Sequence, residues 1–146
     1  IEMSVVYANE RKQFGEPIGN FEIIKEKLAD MAARTYIMES AAYLTAGIAD
    51  RGVKDISIEA AICKVMSSET LWYVVDQAIQ IHGAAGISQW TPLAGMYTGQ
   101  RTLRLADGPD EVHWHVVGRA ELTRYEDDHA PGVGPTGGTG GIFSGP

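Results

Sequence analysis

Residues 24–49, IKEKLADMAARTYIMESAAYLTAGIA, decide the fold class. Ile24, Leu28, Met31, Thr35, Met38, Ala42, Thr45 and Ala49 recur at alternating steps of four and three. That spacing puts them all on one face of a helix, a heptad-type stripe of the kind an antiparallel bundle buries. The small members Ala42, Thr45 and Ala49 are expected to let a neighbouring helix come close, and Gly52 to end the helix.

Outward from this helix the pattern repeats. Upstream, residues 1–11 read as the end of a helix. QFGEPIGN (13–20) then breaks it with Gly15, Pro17 and Gly19. Asn20 is the expected N-cap of the long helix. Downstream, Ser57 is the expected N-cap of a third helix whose apolar face is Ile58, Ile62, Val65, Trp72, Val75 and Ile79, with Gly83 as its stop. A two-glycine loop (83–92) leads to a helical stretch over about 93–105. Asp107-Gly108-Pro109 breaks the chain again, and a last helix runs from Asp110 to about Arg124. The expected architecture is an all-α, up-down bundle of four to five helices over 1–124. Residues 125–146, rich in Gly and Pro, read as a flexible tail with too little apolar surface to order itself.

The 146 residues suit one domain. Acidic residues outnumber basic ones 19 to 12, for a formal charge of −7. That argues against nucleic acid and anionic membranes as partners, since both call for a positive face. A single cysteine, Cys63, cannot close an internal disulfide, so the chain fits a reducing compartment: the cytoplasm or, in a eukaryote, the mitochondrial matrix. Cys63 lies in an apolar helical stretch and reads as an inert thiol. No run approaches the roughly 18 apolar residues of a membrane span. His113 and His115 lie two apart, so a helix points them to different sides, and no metal site is expected. The opening Ile1-Glu2-Met3-Ser4 reads like the middle of a helix, as in a piece of a longer protein.

Periodicity stops at a helical bundle, and the loops carry the chemistry. Four segments are decisive: YANERKQFGEPI (7–18), KLADMAAR (27–34), QIHGAAGI (80–87) and RTLRLADGPDEVH (101–113). In this order and at these separations, over residues 3–122, they resemble the C-terminal helical domain of the acyl-CoA dehydrogenase family. The last segment resembles a subgroup that reads LADGPDEVH where many relatives read YEGT, a subgroup linked to long-chain substrates.

The resemblance implies an FAD-dependent enzyme that α,β-dehydrogenates an acyl-CoA, hands electrons to an electron-transfer flavoprotein and works as a homo-oligomer. Asp107 then stands at the position of the catalytic base, usually Glu. The base takes the weakly acidic proton α to the thioester while the β-carbon gives hydride to flavin. Asp is one methylene shorter, so substrate or backbone must shift by about 1 Å to compensate. Read without the family, Asp107 is a turn residue or a cap of the last helix. Arg11 corresponds to an arginine on the FAD pyrophosphate, often a neighbouring subunit's, and its planar fork suits a diphosphate. Phe14 corresponds to a residue packed on the cofactor. As plain structure, Arg11 is a solvated helix-end charge and Phe14 a loop anchor for the core. Gln80, Gly83 and Gly86 match a QxxGGxG loop along the FAD adenosine and pyrophosphate, with Ala84 in place of the second glycine of the pair. As plain structure, Gly83 and Gly86 are a helix stop and a turn. This stretch alone is expected to hold no flavin. The alternatives are a nitroalkane-oxidase-like or acyl-CoA-oxidase-like flavoenzyme of the same fold, and a non-catalytic oligomerisation module.

Overall fold

The 24–49 stretch is helical from end to end. In the computed structural model, which describes residues 1–129, α2 runs Glu22–Asp50 without a break. Met31 is fully buried, and Ile24, Leu28, Thr35, Met38 and Thr45 are half-buried on the same face. The stripe slips by one residue after Met38. Ala42 and Ala49 do not continue it: both are exposed, while Ala41 and Ile48 turn inward. Ile48 brings far more apolar area than Ala49, so the packing takes it instead.

α2 lies against α3, Ser57–His82. Lys27 Nζ donates to Gln77 Oε1 at 2.7 Å at one end, and Thr45 Oγ1 meets Cys63 Sγ at 3.2 Å at the other, so the two helices run antiparallel. α3 is the axis of the domain. It contacts α1 (Glu2–Glu10), α2, α4 (Leu93–Leu103) and α5 (Asp110–His129). Being covered on several sides, it buries polar as well as apolar positions, Ser68 and Thr70 beside Val65 and Val75. The central cluster joins Met31 of α2 to Val74, Ala78 and Ile81 of α3, with Ala8, Ile18 and Leu93 closing it. Burying a side chain the size of Met31 contributes about 2 kcal/mol.

Three local expectations are corrected. The 13–20 segment is more than a break. β1 (Lys12–Gln13) pairs antiparallel with β2 (Glu16–Pro17) in a minimal hairpin, followed by a 3₁₀ turn over Ile18–Asn20. Asn20 does not cap α2, because its amide is engaged by the Glu16 carboxylate at 2.8 Å and Phe21 holds the N-cap position. Ser57 is the first residue of α3 rather than its cap; its amide bonds Asp55 Oδ1 at 3.1 Å. Its hydroxyl, and then this amide, hold the Asp55 carboxyl below its ordinary pKa. Gly52 (φ +84°) and Gly83 (φ +58°) do close α2 and α3. α5 continues to His129, past the expected end near Arg124, so residues 125–129 are helical. The rest of the expected tail lies outside the described residues. Among the described residues no helix is long and apolar enough to cross a membrane, and no group of three His, Cys, Asp or Glu side chains could hold a metal ion.

Candidate functional site

The sequence-selected residues fall into two groups, one toward each end of α3. At its C-terminal end the His82 ring stacks on Tyr7 of α1, 4.4 Å between centroids and 26° between planes. His82 Nδ1 bonds Ala78 O at 2.8 Å, and the Tyr7 hydroxyl donates to His82 O at 3.4 Å. This contact brings the ends of α1 and α3 together. Arg11, one turn beyond Tyr7, is exposed and makes no ion pair among the described residues. Gln80 is exposed on the last turn of α3, and Gly83 follows it, its amide bonded to Gln80 O.

Phe14 sits at the hairpin tip with φ +55°, ahead of Gly15 at φ +92°. Two consecutive positive φ values make the primed turn that suits a two-residue hairpin, but a bulky residue takes that conformation at a cost of about 1–2 kcal/mol. Phe14 is also 95% exposed, so it does not anchor the core as a loop residue would. Its ring meets the Phe21 ring edge-on, with 6.2 Å between centroids.

Gly86 is a glycine for a different reason. It is buried, and a Cβ there would lie 2.7 Å from Ile79 O and 2.8 Å from Ile79 Cα, so its close approach is to the last turn of α3, onto which the chain folds back. Gly83 has open space where a Cβ would be. A cleft of about 360 Å³ between α1 and the end of α3 is lined by Glu2, Met3, Val6, Tyr7, Glu10 and His82, among others. None of the sequence-selected residues lines it.

Asp107 lies elsewhere. It begins the turn from α4 to α5, at φ +54°, followed by Gly108 at φ +93°. Its side chain is exposed, and among the described residues it makes no capping bond to α5: the Asp110 amide bonds Arg104 O, and the amides of Val112 and His113 bond Pro109 O. The turn is tied down by its neighbours. Lys64 of α3 donates from Nζ to Gly108 O at 2.7 Å. His113 Nε2 lies 3.1 Å from Asp107 O, and since a carbonyl only accepts, that nitrogen carries the proton. Arg104 Nε donates to Asp110 Oδ2 at 2.6 Å and its Nη2 to Glu69 Oε1 at 3.1 Å, and it lies over the Trp72 ring at 5.5 Å. The Asp110 hydrogen bond, with the nearby charges of Glu69 and Glu111, holds the Arg104 guanidinium above its ordinary pKa. Lys64 stands about five turns, roughly 27 Å, along α3 from His82.

A family model, acyl-CoA dehydrogenase, C-terminal domain, matches residues 1–122. The chain belongs to this family. A probable acyl-CoA dehydrogenase of Bacillus subtilis (strain 168) is 35% identical over 135 residues, 80% of this chain and 23% of that protein. The mitochondrial very long-chain specific acyl-CoA dehydrogenase of Rattus norvegicus is 40% identical over 112 residues, 77% of this chain and 17% of that protein. Among solved structures, an acyl-CoA dehydrogenase from Bacillus anthracis complexed with FAD superimposes with a TM-score of 0.79 at 34% identity, over 89% of this chain and 25% of that one. The chain thus spans less than a quarter of the length of these two curated relatives. The helical bundle expected from periodicity is the family's C-terminal domain.

Sequence reasoning missed two features. Nothing in the spacing pairs Tyr7 with His82, 75 residues apart. Nor does it pair Lys64 with Gly108, 44 apart. Only the Arg104–Asp110 pair was within local reach, as a basic and an acidic residue flanking a Gly-Pro break.

Proposed function

We propose that this chain is the C-terminal domain of an FAD-dependent acyl-CoA dehydrogenase, with Asp107 as the base that takes the α-proton of an acyl-CoA thioester. The observation that carries it is the state of Asp107: exposed, capping nothing among the described residues, and presented from a left-handed backbone on a turn that its neighbours hold. A turn residue with only a structural task would use its carboxylate locally. The base works best dry, and on this domain Asp107 is open to solvent. The acyl-CoA and the surfaces closing over the turn therefore have to supply the desolvation.

The cofactor assignment follows the other end of α3. Arg11 offers an exposed guanidinium to a diphosphate, Gly83 an open backbone and Phe14 a strained, solvent-facing ring, a set that fits FAD. FAD, when bound, supplies the hydride acceptor for the β-carbon. Electrons then pass to an electron-transfer flavoprotein. About 27 Å of α3 lies between Lys64, which holds the base's turn, and His82, beside which Gly83 stands, far for both ends to surround one flavin ring. A homo-oligomer resolves this, with one copy contributing Asp107 and another Arg11 and Phe14 to the same cofactor. The outer face of α2 suits such association, since Tyr36, Ile37, Tyr43 and Leu44 all stand exposed there.

The test is Asp107→Asn in the full-length enzyme. Dehydrogenation of acyl-CoA is expected to fall by about 10³-fold with flavin content unchanged. Turnover within tenfold of the native rate removes Asp107 from the role.

A further inference from the structure

Asp107 is a short base on a turn, and its reach depends on the backbone that carries it. The peptides on either side of Gly108 are each fixed from outside. The carbonyl of Asp107 accepts from His113, at 3.1 Å, and that of Gly108 from Lys64, at 2.7 Å. With both planes held, the peptides that follow Asp107 and Gly108 keep their orientation, which limits how far the Asp107 Cα–Cβ bond can swing.

We propose that Lys64 is a positioning residue for the base: its ammonium, reaching across from α3, locks the α4–α5 turn in the left-handed geometry that aims the Asp107 carboxylate. This rests on Asp107 being the base. Lys64 is suited to the task because it is one corner of a charge cluster. Its Nζ also lies 3.8 Å from Asp110 Oδ1, while Arg104 holds the other oxygen of that carboxylate and reaches Glu69. The Asp110 side chain is only 8% exposed, so its charge has to be matched in place. Arg104 anchors the start of α5 without Lys64. Loss of Lys64 therefore leaves the helix seated and frees only the turn. A longer base could search for its proton from a looser backbone. A base one methylene shorter cannot, and a misplacement near 1 Å can cost up to about a hundredfold in rate.

The test compares Lys64→Met and Lys64→Arg with Asp107→Asn in the flavin-loaded full-length enzyme, following flavin reduction by acyl-CoA per bound flavin so that unfolded protein does not count. Lys64→Met is expected to slow reduction about tenfold, leave KM within about threefold, and enlarge the isotope effect of α-deuterated substrate. Lys64→Arg, which keeps a donor, recovers most of the rate. If Lys64→Met reduces its flavin at the native rate while Asp107→Asn does not, the positioning role is overturned and the base assignment stands. If Asp107→Asn itself reduces flavin at near-native rate, the base assignment fails and this role fails with it. A rate loss in Lys64→Met that Lys64→Arg shares in full also overturns it, because the bond to Gly108 is then not what matters.

Discussion

The hairpin tip and the α4–α5 turn solve the same backbone problem in opposite ways. Each places a residue with a side chain at positive φ directly before a glycine at positive φ: Phe14-Gly15 and Asp107-Gly108. Asp tolerates that geometry better than most residues, and its turn is fastened by Lys64 and His113. Phe tolerates it poorly, and its tip is fastened by little more than a two-residue ladder and one ring edge. The strained residue is thus the unsupported one. Strain that a domain keeps without holding it from within points to something outside that uses the side chain. A clamped turn is finished by its own domain, and an open one is finished by a ligand or a second copy.

The contrast can be broken most sharply at Gly108. A Cβ there would meet His113 Nε2 at 2.9 Å in a backbone that already disfavours it. Gly108→Ala is expected to lower the unfolding free energy by about 2 kcal/mol, read as a shift in the urea midpoint. A cost near zero means the turn yields easily and is not clamped.

Phe14→Asn should move stability the other way. Asn-Gly is the favoured pair for this turn, and little packing is lost from so exposed a ring, so a gain of about 1 kcal/mol is expected in the same titration. In the full-length enzyme the same change should weaken flavin retention. A loss of stability instead would show that Phe14 serves its own fold and that the two turns are not opposites.

The smallest effect is expected at a site remote from both turns. Asp30 of α2 is held below its ordinary pKa by the Tyr73 hydroxyl and then by Arg34, while Tyr73 is raised by Asp30. Arg34 also lies over the Tyr73 ring at 4.3 Å. A lowered carboxylate supports the fold fully above its unfolded pKa of about 4 and loses that support as pH falls through the folded value. A raised phenol supports it below about 10 and loses that support as pH climbs through its own folded value. Asp30→Asn should therefore lower Tm slightly at neutral pH, and the gap should close in acid. The rate of flavin reduction should not change at all.

The bundle was legible because a helix writes its buried face into the sequence at a fixed period. Met31, Val65 and Val75 fall where that period puts them. The slip from Ala42 to Ala41 was not legible, since it depends on what α3 offers opposite. Candidate site residues were found through loop chemistry, where glycine and proline mark the turns at 15, 83 and 108. What holds those turns was hidden. Lys64 looks like any solvent-facing charge on an amphipathic helix until α5 is folded against it.

One consequence follows from α3 as the member shared by both ends. A helix is a screw, advancing about 1.5 Å and turning about 100° with each residue. A single residue added or lost between Lys64 and Gln80 would rotate one end against the other by more than a quarter turn, and no adjustment elsewhere could undo it. The connection at 51–56, closed by Gly52, has no such phase to keep. Changes of length in this domain are therefore expected to collect there, while α3 keeps its count of residues as a gear keeps its teeth.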